Sequence, residues 1–225
     1  MSHQLIGAAS IGRAICMVCL TILIGRSVAA DEIAERCGLG PSPDSANFNS
    51  YNEERERIRA QLGYEPVCDQ YIATLPPLSQ LEPFETVRSE LAFQLISLES
   101  TPFATFRPLG ARADIIGDKR GAKALRRYFA ASNGEFLELF EVDTSLAGGV
   151  DVLYPERQTE RVKGQLAMLT IEQSKSGKVL SVLSWEENRR HIELSINRNV
   201  RRLGYAQFMR LAESLPSPSP AHPPK

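Results

Sequence analysis

The sequence predicts an α+β fold: an antiparallel sheet with helices on one face, preceded by a small helical extension stapled by a disulfide. Three observations carry this expectation. Between residues 110 and 200 short apolar runs alternate with polar, glycine-containing links too short for crossover helices, so neighbouring strands run antiparallel. In the segment Tyr205 to Leu215, the residues Tyr205, Phe208, Met209, Ala212 and Leu215 fall on one side of a helix, the stripe needed to pack on a sheet. Upstream, Cys37 and Cys68 bracket a charged helix with its own start and stop signals.

Residues 1–30 read as a signal peptide. Arg13 leads into the apolar run from Ala14 to Gly25, and Arg26 and the small residues Ser27, Val28, Ala29 and Ala30 follow. That run is short of the roughly 20 apolar residues a membrane-spanning helix needs, and Asp31 and Glu32 follow at once. Cleavage after Ala30 is the expectation; an uncleaved anchor and a buried helix are the alternatives, and membrane contact is expected only through this segment if it is retained. The protein is therefore expected to be periplasmic or secreted. Removing Arg13 and Arg26 leaves the remainder mildly acidic, from a whole-chain balance of −1, which lacks the strongly basic character that nucleic-acid binding requires.

Residues 31–82 form the expected helical extension. Cys37 and Cys68 are the cysteines left after cleavage, and an oxidising compartment favours a disulfide between them. Two unpaired buried thiols are the alternative. These two cysteines with His191 and His222 have no ligand spacing, so neither a metal site nor a cofactor is expected. The stretch from Cys37 to Ser50 is turn-forming, and Ser50 with Glu53 reads as a capping box opening a helix that Gly63 stops near Leu62. Glu53, Glu54, Arg55, Glu56, Arg57 and Arg59 alternate in sign and read as a solvated face. The proline-rich stretch to Pro83 places a domain boundary near residue 80.

Residues 83–215 form the sheet domain. Pro83 can open a short helix through Phe84, Val87 and Leu91, yet residues 84–98 fit a buried strand equally well. The runs ALRRYFAA and FLELFEV flank Asn133 and Gly134, which accept the positive φ of a tight hairpin turn. LAMLTIE, VLSVLSW and HIELSI follow, linked at Ser176–Gly177 and at Glu187–Arg190. In the last of these, Ile192, Leu194 and Ile196 alternate with His191, Glu193 and Ser195, as on a sheet with one wet face. Pro216 ends the final helix, and the proline-rich tail 216–225 is expected to be disordered.

Candidate chemistry concentrates at few positions. Lys119, Arg120, Lys123, Arg126 and Arg127 carry only Asp118 against them and form the candidate contact patch for an anionic envelope polymer or protein, a charged strand edge being the alternative. Trp185 is a possible ligand platform or core cover. His191 could act as a base, against a plain surface histidine, and Glu186 with Glu187 could form an acid and base pair were they not neighbours on a strand, which point to opposite faces. Gly148 and Gly149 lack the lysine and hydroxyl of a phosphate loop, and Gly38 and Gly40 lead to Pro41 rather than a helix start, so neither pair marks a nucleotide site.

Gly164 in RVKGQLAMLTIE, Trp185, Glu186 and Glu187 in SWEE, Leu194, and the helix end Ala212, Glu213, Ser214 and Leu215 carry a resemblance over roughly residues 90–215. The chain resembles a bacterial family of extracytoplasmic α+β domains found at the exposed end of anti-sigma-type regulators and in envelope lipoproteins. Pro108 and Gly110 in FRPLGARADII match the family's approach to the sheet only in part. The resemblance implies the fold and a role without catalysis: a non-enzymatic domain binding a protein or envelope polymer. An envelope hydrolase is the alternative function.

Overall fold

The hairpins expected from alternation form the middle of one sheet. The computed structural model describes residues 37, 40–42, 44–114, 124–131, 134–147 and 157–219. The expected signal peptide, Lys119, Arg120, Lys123 and His222 lie outside them. Helix α1 (Phe48–Leu62) is followed by β1 (Glu65–Pro66), helix α2 (Phe84–Arg88), β2 (Arg107–Asp114), β3 (Ala124–Ala130) and β4 (Phe136–Asp143). Helix α3 (Thr144–Ala147), β5 (Glu160–Val162), β6 (Gln165–Gln173), β7 (Val179–Glu187), β8 (Arg190–Ile196) and helix α4 (Tyr205–Glu213) complete the order.

The eight strands run β1-β6-β7-β8-β4-β3-β2 across the sheet, with β5 paired to β6. The fold is mostly sheet with few helices. It is mixed rather than wholly antiparallel, because β1 joins β6 in parallel through Glu65 and Pro66. The chain leaves the sheet after β4 and returns through the β6–β7–β8 meander, whose last strand pairs with β4.

Turn chemistry sets the register. The link between β7 and β8 is Asn188 and Arg189 alone, at φ 53 and 63, and that between β5 and β6 is Lys163 and Gly164, at φ 49 and 85. Two central residues with positive φ form the hairpin turn whose twist matches paired strands. The β3–β4 link is longer than a tight turn: Ala130 faces Phe136, the Ala131 amide donates to the Glu135 carbonyl at 2.9 Å, and Gly134 takes φ 77. Asn133 lies outside the described residues.

One sheet face carries the main core. Leu137, Leu139, Leu169, Ile171, Leu183, Trp185, Ile192, Leu194 and Ile196 cluster with Phe208, Leu211, Ala212 of α4 and with Leu215. Burying a leucine or phenylalanine side chain contributes about 1.5–3 kcal/mol, so this cluster is what docks α4. Residues 84–98 are neither one long helix nor a strand: α2 spans five residues, and an extended strap follows.

Two upstream expectations change. Helix α1 begins at Phe48, so Ser50 lies inside its first turn, and its hydroxyl donates to the Asn47 carbonyl at 3.0 Å instead of capping. Arg55 is buried rather than solvated, and donates to the Pro66 carbonyl at 2.7 Å beside Glu65. The segment before residue 80 packs on the sheet: β1 joins β6, and Val67 and Ile72 cluster with Phe136 and Leu180.

The start of the tail is also ordered by contact. Pro218 is buried, and its carbonyl accepts from Asn188 Nδ2 at 3.0 Å, a side-chain partner that composition alone cannot announce. Residues 220–225 lie outside the described residues. The Cα atoms of Cys37 and Cys68 lie 5.1 Å apart, within the span of a disulfide.

Candidate interaction site

Adjacent strand residues point to opposite faces, so Arg126 and Arg127 part company at once. The register lines up Arg112, Arg126, Phe140, Glu193, Ser184 and Met168 across β2, β3, β4, β8, β7 and β6 on the face opposite the main core. Diagonal neighbours on this face complete a chain of alternating charge. Arg112 Nε lies 3.3 Å from Asp114 Oδ1, Arg126 Nε donates to Asp114 Oδ2 at 3.1 Å, and Arg126 Nη1 donates to Glu138 Oε1.

Side-chain exposure falls along that chain from 46% at Arg112 through 30% at Asp114 and 28% at Arg126 to 8% at Glu138. The guanidinium of Arg126 also sits 3.9 Å above the Phe140 ring, a cation–π contact that strengthens as water is excluded. Burial raises the Glu138 carboxyl, Arg126 opposes that shift and Glu193 adds to it. Burial, with Glu138 next, pushes the Tyr128 phenol up to about 12.

Beside this chain, Glu193 Oε1 accepts from Ser184 Oγ at 3.4 Å and lies 3.2 Å from His191 Nε2. The carboxylate thus stands between hydroxyl and imidazole, and His191 Nδ1 is buried without a partner. His191 is not a surface histidine: it is buried and meets the edge of Phe140 with centroids 6.4 Å apart. The face expected to be wet also buries Glu138, Ser184 and Ser195.

Arg127 leaves the candidate patch altogether. It is buried on the core face, where Nη2 donates to Glu141 Oε1 and Nη1 to the Ile96 carbonyl at 3.0 Å. The expectation that only Asp118 opposes these arginines is corrected, because Asp114, Glu138 and Glu141 come from neighbouring strands. Trp185 is fully buried in the main cluster and offers no ligand platform. Glu186 is exposed and Glu187 buried 2.7 Å from Lys163 Nζ, so the two carboxylates do not address one point.

The sequence alone does not mark Arg112, Asp114, Glu138 or Glu193 as site residues. A signal was there: ALRRYFA offers two arginines and FLELFEVD two glutamates, and once hairpin-paired the charges meet diagonally as Arg126–Glu138 and Arg127–Glu141. Among the described residues, no group of three or more His, Cys, Asp or Glu is placed to hold a metal ion, and no helix is long and apolar enough to cross a membrane. No family model, curated protein or solved structure matches this chain.

Proposed function

We propose that this protein is a non-enzymatic domain of the periplasm or extracellular space that binds an anionic envelope polymer or an acidic protein surface. The contact region is the β2 edge with the link from β2 to β3. The observation that carries this reading is the ion-pair chain from exposed Arg112 to buried Glu138. Its inner end fixes side chains in place while its outer end stays open to a partner, and ordered charge of that kind governs encounter rate and partner choice. Lys119, Arg120 and Lys123 lie on the same link and add positive charge there. The signal-like leader and the family resemblance support the compartment and the absence of catalysis, and the residues that α4 and the strap share with the main cluster support helices lying on one face of the sheet.

The test is binding of the folded protein to anionic phospholipid vesicles and to purified peptidoglycan. Replacing Arg112, Lys119, Arg120 and Lys123 with Gln should weaken binding at least tenfold and flatten its salt dependence; unchanged binding overturns the reading.

A hydrolase is the second reading, and one observation favours it. Glu138, whose carboxyl burial raises, shares a face with the more open Glu193, and a buried, raised carboxyl suits the role of a general acid. Under that reading Glu193→Gln abolishes function in a folded protein while the Gln variants of the basic residues retain it.

A further inference from the structure

The tail residues after α4 rest on two hairpin turns. Lys163 and Asn188, the first residues of the β5–β6 and β7–β8 turns, both occupy the left-handed region, at φ 49 and 53. Asn188 Nδ2 donates to the Pro218 carbonyl at 3.0 Å, and Lys163 Nζ donates to Ser217 Oγ at 3.3 Å. Lys163 Nζ is itself held 2.7 Å from Glu187 Oε2. Leu215 and Pro218 are buried while Ser217 and Ser219 are exposed, so the segment inserts chosen side chains and leaves the others in water.

These are the parts of a receptor for an extended proline-rich peptide. Such a peptide makes no internal hydrogen bonds and loses little entropy on docking, so a side-chain amide donating to one carbonyl and a seat for one proline give both hold and register. We infer that the two turns form a site for a Pro-Ser-Pro segment, filled in cis by residues 216–219, which the same segment of a second copy of this chain can enter when the first is displaced. The cis segment competes at the high effective concentration of a tethered ligand, so the site is masked in the intact chain.

The experiment uses the full-length chain and a fluorescein-labelled synthetic peptide covering residues 214–220, followed by anisotropy. In one variant Ser217→Gly and Pro218→Gly weaken the tethered segment without changing its length. This variant should bind the peptide at least tenfold more tightly than the unaltered chain. Adding Asn188→Gly, which keeps the positive φ but removes the amide donor, should cancel the gain; Asn188→Asp serves as a second removal should Gly disturb the turn. Equal binding by the unaltered and tail-weakened chains, or a gain that survives both Asn188 replacements, overturns the proposal.

Discussion

Arg127 and Glu141 grip both backbone groups of Ile96. The guanidinium donates to the Ile96 carbonyl at 3.0 Å, the Ile96 amide donates to Glu141 Oε2 at 3.1 Å, and the two side chains also pair with each other. Arg190 repeats the device, donating to the Gln94 carbonyl at 3.1 Å with its guanidinium 4.1 Å over the Phe93 ring. The strap after α2 therefore holds to the sheet through arginine side chains where a strand would use a backbone ladder.

Removing one member of the buried pair leaves the other charged and uncompensated, at a cost of about 3–5 kcal/mol. Arg127→Met should lower the free energy of unfolding by that much, and Arg126→Met by less, since Arg126 is part-exposed. Urea titrations of both variants test it; a cost at Arg127 below about 1 kcal/mol, the range of surface pairs, would count against a buried clamp. Charge reversal at Arg127 thus reports on folding, and of the two arginines in the ion-pair row Arg112 is the more exposed and reads contact more cleanly.

Gly110 sits at φ 138 beside the bulge in β2, and a Cβ there would lie 2.7 Å from Leu81 Cβ and 3.0 Å from the Glu82 carbonyl. Glu82 pairs with Ala111 on the open edge of β2. Gly110→Ala should cost about 1–3 kcal/mol in backbone strain and increase exchange of the Ala111 amide. Hydrogen exchange followed by mass spectrometry reads both; unaltered protection of residues 81–82 and 111 would contradict it.

Cys37 and Cys68 should be bonded in protein recovered from an exporting host, whose first residue should be Asp31. Closing a loop with a separation of 31 residues contributes roughly 3–4 kcal/mol on the chain-entropy model. Thiol counting on denatured, unreduced protein and intact mass decide the matter. Two reactive thiols, or Met1 retained in a membrane fraction, would contradict it.

Alkaline pH should loosen the sheet through Tyr128. Its phenol is raised to about 12 in the folded protein, against about 10 when exposed, so between these values the unfolded chain loses a proton that the folded one keeps. Stability contributed below pH 10 is then lost as pH rises toward 12. Urea midpoints at pH 9 and 11 should differ for the unaltered protein more than for Tyr128→Phe; equal differences would show that another group titrates.

The sheet meander was legible because its signals are local. Gly164, Gly177 and the polar pair Asn188–Arg189 mark turns by their own backbone preferences, and the alternation of residues 191–196 marks a strand. The helix stripe ending at Leu215 and the stop at Gly63 were equally readable, because capping and periodicity depend on near neighbours.

What tertiary structure alone decided depends on residues far apart in the chain. Alternation states that two faces of a strand differ, yet it does not say which face is covered, so His191 could be placed on a polar face without being known to be buried. Glu65 and Pro66 carry no strand signal of their own and become one by lying beside Glu172 and Gln173. The basic run at Arg126–Arg127 read as one charged patch because sequence counts charge along the chain. Folding counts it across strands, where each arginine meets a carboxylate at least a dozen residues away and on a different face. Coulomb energy follows distance in space and the dielectric around the pair, and both are set only when the strands come together.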